Sequence, residues 1–521
     1  MTTVLVSLLL IIALAAIARS EKIAVFVVPL SNSQVVFTLR LAEELAEDHD
    51  VVIVRPFFNN ATNSLVSKHP RVREIRHRGC SKENFDTFTE YEHKWIYGEP
   101  PFLAALEMGE KFANMFTEAC HEMVNDDEFI TKLRKERFDF AFLHHIDLCN
   151  VGIVRAAEIP QWGVALSTPL FRSMLKLVGV PVLPPLLPNL LTDGSNQMAF
   201  VTRAKNFAFE LFCDLMYPVT LRRYTNLFRA KFGPEFPDVG QLGTSASLLL
   251  ANSHPDIEFP VPVTSKVAFV GGLGLSNATQ PLKEPYASFV NKSQKTVFVS
   301  FGTVADSSLM PVAWRDALVE LFRRNPDVNF IWKMEDEVEV PKNVLRGRWH
   351  PQKDLLGHDK VVAFITHGGY NSIGESIASA TPILTIPLFG DQFRNSRLAM
   401  YRKFGVRVDK QDFTADHLHQ ALHRLLDEPS FLASAKEVRS VFFSSPISPG
   451  NAARHALRFA LDHPDYDRDI PRHPLYALYS LDMIALLGLA AFVVLFVVWR
   501  ILKCYYWSCC LMAYKEKEKI Q

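Results

Sequence analysis

Several things are scarce in this 521-residue chain, and each scarcity excludes a class. There is no net charge, since 56 basic residues meet 56 acidic ones. Nucleic acid demands clustered Lys and Arg against its phosphates, so no such partner is expected. Charged residues make up only 21% of the chain while 48% are hydrophobic, which excludes a disordered polymer. Seven cysteines are too few for a disulfide-stapled scaffold. Neither an internal repeat nor a low-complexity tract occurs. What remains is a chain long enough for two or more domains, each with its own core. Its mean hydropathy is slightly positive at +0.06, which directs attention to membrane segments.

Both ends carry one. Val4 to Ala18 is free of charge but too short for a comfortable span, and Ala18 and Ser20 are small. This predicts a signal peptide over 1–20, cleaved before Glu21. Met483 to Trp499 is charge-free and Ile501 and Leu502 extend it, predicting a transmembrane helix over 482–502 and a tail over 503–521. Arg500, Lys503, Lys515, Lys517 and Lys519 place that tail in the cytosol, with Tyr505, Tyr506 and Trp507 at the interface. The main body is then lumenal or extracellular. Lys517 and Lys519 have dilysine spacing, which predicts a single-pass type I protein of the endoplasmic reticulum membrane. Asn60, Asn277 and Asn291 each open an Asn-X-Ser/Thr triplet and are candidate glycosylation sites.

The body reads as two α/β halves. Ile23–Val28 is an apolar strand, a polar loop follows, a helix carries Phe37, Leu41 and Leu45 on one face, and Val51–Val54 is the next strand. Alternation resumes at Thr296–Gly302 and continues through Asn329–Lys333, Val361–Thr366 and Pro382–Ile386. Pro- and Gly-punctuated segments between them suit an interdomain linker. Leu166 to Pro237 is aromatic and Pro-rich without clean periodicity, and its GVPVLPPLLP is apolar and surface-seeking. The cleft at the carboxyl ends of the strands is the default site.

Trp349 to Gln392 carries the chemistry. A buried strand ends at Thr366, and His367-Gly368-Gly369 opens a helix whose N–H groups favour a diphosphate. His367, Asn371 and Ser372 can donate to it. Glu375, one turn on, suits sugar hydroxyls, and Asp391 with Gln392 can grip a polyol. Trp349 and Gln352 can stack on and bond a flat base. This 44-residue stretch closely resembles the signature of the UDP-glycosyltransferases. SFGTVADSSLMP, FIWKMED and ANSHPDIEFP extend the similarity, and the two apolar ends match the animal, glucuronosyltransferase-like branch.

The resemblance implies a GT-B fold of two Rossmann-like doubly wound domains facing a cleft. An N-terminal half (21–260) would bind a small lipophilic acceptor, a linker would occupy 261–290, and a C-terminal half (291–470) would bind the UDP-sugar. Trp349 and Gln352 would then take the uracil, and Ser300, Gly302 and Thr303 the phosphates. His367, Gly368, Asn371 and Ser372 would hold the diphosphate, Glu375 the ribose, and Asp391 and Gln392 the sugar. The reaction implied is inverting transfer of glucuronate or a hexose with neither metal nor cofactor. The triplets within Asp465–Asp469 read as a solvated acidic stretch rather than a metal site. Homo-oligomers are compatible with all of this.

One departure stands out. The family's first βα loop ends in Ser-His, the His serving as general base, with a later carboxylate orienting it. Here Gln34 stands in the histidine's place and His144 in the carboxylate's. An amide cannot take a proton at neutral pH. Three readings follow: His144 or His145 is a relocated base, the acceptors are nucleophiles such as amines that need little activation, or transfer is weakened or lost. Asp147 becomes a partner only if the register slips. Cys80, Cys120, Cys149 and Cys213 can pair in three ways or stay free.

Overall fold

The computed structural model describes residues 20–58, 62–98, 102–180, 186–275, 279–466 and 474–518. Residues 1–19 of the expected signal peptide, Asn60, Asn277, Asp467, Asp469 and Lys519 lie outside them. The chain forms two compact units, Met1–Arg468 and Asp469–Gln521.

Two parallel sheets organise the first unit. One contains β1 (Lys22–Phe26), β2 (Asp50–Pro56), β3 (Val72–His77), β4 (Phe140–His144), β5 (Trp162–Leu166), β6 (Leu248–Ala251) and β7 (Val267–Phe269) in the order β3-β2-β1-β4-β5-β6-β7. The other contains β8 (Lys295–Ser300), β9 (Val328–Lys333), β10 (Val344–Gly347), β11 (Val361–Thr366), β12 (Ile383–Thr385) and β13 (Gly405–Arg407) in the order β10-β9-β8-β11-β12-β13. Each order reverses beside its first strand, between β1 and β4 and between β8 and β11. Those are the topological switch points where such sheets bind ligands.

The central strands are continuous apolar runs because helices cover both faces. Along β8, Val297 and Val299 enter one core cluster while Phe298 between them enters the cluster on the opposite face. In β11, Ala363 and Ile365 alternate with Phe364 in the same way.

The helices that matter here begin with α1 (Asn32–Leu45), whose Phe37, Leu41 and Leu45 are buried at i, i+4, i+8. Then come α2 (Phe102–Asn125), α3 (Cys149–Ala156) and the 33-residue α4 (Phe200–Phe232), with Pro218 inside it. In the second half α5 (Val312–Arg324), α6 (Tyr370–Ser379), α7 (Gln392–Tyr401) and α8 (Ala415–Asp427) surround the sheet. Thr414 caps α8 by accepting from the His417 amide. α9 (Pro449–Asp462) lies within the stretch 291–470, yet its Ala453, Leu457 and Ala460 join Ile23, Leu41 and Leu250 in the core of the first sheet.

Within Leu166 to Pro237, the region without clean periodicity, α4 is a regular element. Its periodicity is hidden because apolar residues surround it: Leu221, Tyr224 and Phe228 are buried while Phe200, Leu211 and Leu215 face solvent. The open cysteine question also resolves. Cys120 of α2 and Cys149 of α3 form a disulfide, whereas Cys80 and Cys213 are free.

Side chains tie the halves together. Arg394 of α7 donates to Glu258 at 2.9 Å, with 0% and 2% of the two side chains exposed. Asp193 accepts from Arg397 at 2.8 Å and also pairs with Arg407. The Tyr97 hydroxyl donates to the Asp306 carbonyl at 2.6 Å.

In the second unit, α10 (Leu481–Glu518) contains a stretch, Leu481–Ser508, apolar enough to cross a membrane. Its 28 residues extend about 42 Å, more than the roughly 30 Å of hydrocarbon.

Candidate active site

The second sheet's switch point gathers most of the expected donor residues. Buried Ser300 ends β8, and its hydroxyl accepts from the Gly302 amide at 3.4 Å. Thr303 follows, exposed. His367 and Gly368 follow β11 directly. Two glycines make room for the imidazole. A Cβ on Gly302 would lie 2.7 Å from His367 Cε1, and one on Gly369 would lie 2.6 Å from Nε2. Gly302 also has φ +82°, a region that side-chain-bearing residues avoid. Burial pushes the His367 pKa down to about 4, and the nearby Lys333 ammonium adds to this. The ring is therefore neutral at pH 7, with one N–H to donate.

Gly369 precedes the first residue of α6, so Asn371 and Ser372 sit in the first turn where backbone N–H groups are free for an anion. Glu375 is one turn on. Gln352 Nε2 donates to Glu375 Oε2 at 2.5 Å and approaches the Ser372 hydroxyl at 3.4 Å, joining three expected residues into one polar cluster. Burial raises the Glu375 carboxyl, while Gln352 and the charge of Arg40 oppose the rise. Trp349 stands apart with 73% of its surface exposed, its carbonyl accepting from the Tyr286 hydroxyl at 3.2 Å.

Asp391 and Gln392 begin α7 and are used differently. The Gln392 side-chain oxygen accepts from the Leu388 and Phe389 amides at 2.9 and 3.1 Å, so it braces its own loop. Asp391 accepts from Asn395 at 2.8 Å, and burial raises its pKa. Asn395 also donates to the Gly368 carbonyl at 3.0 Å, locking the two loops together.

At the first sheet's switch point, Gln34 occupies the opening turn of α1 and His144 ends β4, the strand beside β1. The Gln34 side-chain oxygen is buried with no partner among the described residues. His144 Nε2 meets the Ser167 hydroxyl at 3.1 Å, and its ring stacks on His145 at 4.5 Å. Burial drives both imidazoles down, His145 to about 3. Asp147 is turned away: its carboxylate accepts from the Cys149 amide at 2.9 Å and from Asn150 at 3.1 Å, and burial raises its pKa to about 7.

His145 is also on the wall of a cavity of about 500 Å³ between α2 and α4, lined by Phe112, Phe116, Phe171, Met174 and Tyr217. Asp214 is also on its wall and accepts from Arg172 at 3.1 Å, and Arg172 donates to Glu210 at 2.7 Å as well.

A family profile described as UDP-glucoronosyl and UDP-glucosyl transferase matches residues 23–519. The chain belongs to that family. Among its relatives is UDP-glucuronosyltransferase 1A4 of Oryctolagus cuniculus, 26% identical over 98% of this chain and 94% of that one. Another is the provisionally named UDP-glucuronosyltransferase ugt-48 of Caenorhabditis elegans, 27% identical over 95% and 97%. Among solved structures, the glycotransferase of kitacinnamycin aligns with a TM-score of 0.59 at 17% identity, covering 85% of this chain and 99% of that one. Os79 from O. sativa, in complex with U2F and trichothecene, aligns with a TM-score of 0.56 at 16% identity over 84% and 100%. The fold is GT-B, with two Rossmann-like halves facing a cleft and one apolar C-terminal helix.

Two residues of this family member went unnoticed in the sequence. Lys333, at the carboxyl end of β9, donates to the Gly302 carbonyl and adds positive charge beside His367. Arg40, on α1 of the opposite half, brings its guanidinium towards Glu375. Lys333 carries a usable signal, since it ends a strand next to β8. Arg40 carries none, because only the packing of the halves brings it there.

Proposed function

We propose that the chain transfers glucuronate or a hexose from a UDP-sugar to a small lipophilic acceptor held in the cavity between α2 and α4. The observation that carries this reading is the joined cluster of Gln352, Ser372 and Glu375 beside the glycine-cradled His367. In it, Trp349 stacks on the uracil and Glu375 accepts from the ribose. His367, Asn371, Ser372 and the first N–H groups of α6 receive the diphosphate, and Asp391 takes the sugar. Negative charge that develops on departing UDP meets the α6 N-terminus, the His367 N–H and Lys333, without a metal. Attack from the acceptor half, opposite the bound diphosphate, inverts the anomeric carbon. A span at Leu481–Ser508 anchors the chain in the endoplasmic reticulum membrane, with Asn291, exposed on the surface, available for glycosylation.

Gln34 cannot accept a proton, so nucleophilic acceptors such as amines are favoured over phenols, and positioning does most of the work. A second reading has a specific support. The unpartnered Gln34 oxygen and the His144–Ser167 contact fit a relative that binds UDP-sugar with weakened or lost transfer. The purified full chain is to be incubated with radiolabelled UDP-sugars and a panel of phenols and amines. Transfer to any acceptor supports the first reading; no transfer with intact UDP binding overturns it in favour of the second.

A further inference from the structure

α4 has two opposite faces, and only one is accounted for. Its inner face closes the apolar cavity through Phe212, Met216, Tyr217 and Tyr224. Its outer face, from Phe200 to Val219, is also apolar. Phe200 is 74% exposed and Leu215 65%, and Val201, Phe207, Leu211 and Val219 continue the stripe at helical spacing. These 20 residues make a strip about 30 Å long, beyond the scatter of single apolar residues normal on a soluble surface.

Charge on this helix is sorted. It contains two acidic residues, Glu210 and Asp214, against six basic ones. Both acids point away from the strip into ion pairs with Arg172, and Asp214 pairs with Lys176 as well. Exposed Arg203 and Lys205 flank one end and exposed Arg222 and Arg223 the other. An apolar strip without acids and with a basic group at each end fits the boundary between acyl chains and phosphate headgroups.

A second copy of the chain fits less well. Antiparallel pairing of two such strips about a two-fold axis would set Arg203 and Lys205 of one against Arg222 and Arg223 of the other. The same chain also carries a segment, Leu481–Ser508, apolar and long enough to cross a bilayer.

We propose that the outer face of α4 docks on a lipid bilayer containing anionic headgroups. Phe212, Met216 and Leu191 are exposed and at the same time line the cavity, so its rim is continuous with the docked strip. A lipophilic ligand dissolved in the acyl region then reaches the cavity without crossing water.

The test uses the full chain, one copy per nanodisc of phosphatidylcholine and phosphatidylserine, with a coumarin amino acid placed at Leu215 or, as control, at exposed Leu432. Lipids brominated in the acyl chains are expected to quench the Leu215 probe at least about twofold and the Leu432 probe hardly at all. Equal quenching at both sites, or none at Leu215, overturns the proposal. So does shielding of Leu215 that requires two copies per disc, which would mark a dimer face. A second variant combines Leu211→Glu, Leu215→Glu and Val219→Glu with the probe at Val201. It is expected to abolish quenching while UDP affinity and unfolding temperature stay as in the parent; quenching that persists also overturns the proposal. None of these readouts depends on transfer activity, so a failure here is separable from a failure of the proposed reaction.

Discussion

The two sheets reverse strand order in the same way and furnish the reversal differently. Beside β8 and β11 the residues expected to bind the donor are partnered or aimed at open space. Gln352 holds Glu375, Asn395 holds Asp391 and Gly368, and two glycines leave room for the His367 ring. Beside β1 and β4 three buried atoms lack partners among the described residues: Gln34 Oε1, His144 Nδ1 and His145 Nδ1. A buried polar atom without a partner costs about 1–3 kcal/mol. The first half therefore bears a cost at the point where a base and its orienting carboxylate are expected. A fold can keep its ligand-binding geometry while the residues that moved protons are replaced.

The sharpest way to break that comparison is to restore the first half. Gln34→His combined with His144→Asp is expected to raise transfer to phenols about 10²–10⁴-fold, the usual range for a positioned general base. Rates on a phenol panel check this, and no gain would count against equating Gln34 with the base position. Next in size is the Cys120–Cys149 disulfide, which closes a loop across a separation of 29 residues. Its loss through Cys120→Ala is expected to destabilise the chain by about 3.5 kcal/mol. Denaturant unfolding measures that cost, and UDP affinity is expected to be unaffected.

His367→Ala probes the second half and is expected to weaken UDP binding about 30-fold, as a lost hydrogen bond to a charged ligand would. Calorimetry reads this, and a change under threefold would remove the imidazole from the diphosphate site. The smallest effect concerns pH. His145 stays neutral in the folded chain down to about 3 but takes a proton near 6.5 once unfolded. Its contribution is thus complete above pH 6.5 and is lost as pH falls towards 3, by about 2 kcal/mol at pH 5. His145→Phe is expected to flatten the acid side of a plot of unfolding temperature against pH, and an unchanged slope would contradict the assigned burial.

Much of this was legible in the sequence because parallel strands covered on both faces announce themselves as unbroken apolar runs. Val361–Thr366 matches β11 residue for residue. The polar cluster of the second half was legible for a related reason. Gln352, Ser372 and Glu375 lie within 24 residues of one another, so spacing carries the information. The first half hides its cavity because Phe112, Phe171 and Tyr217 come from distant segments. α4 was illegible because both its faces are apolar, which erases the periodicity that betrays an amphipathic helix, and Pro218 within it reads as an interruption. Arg40 and Glu375 belong to different halves, and no local pattern relates them. The pairing of Cys120 with Cys149 depends on α2 meeting α3, which four cysteines alone do not specify.

α9 has a consequence for how the protein is made. Ala453, Leu457 and Ala460 complete the core of a sheet whose first strand starts at Lys22. During synthesis the amino-terminal half emerges early, but its hydrophobic packing stays open until the whole second half has been translated. The part of the protein that begins first is the part that finishes last. Until α9 arrives, that half exposes apolar surface of the kind that chaperones recognise.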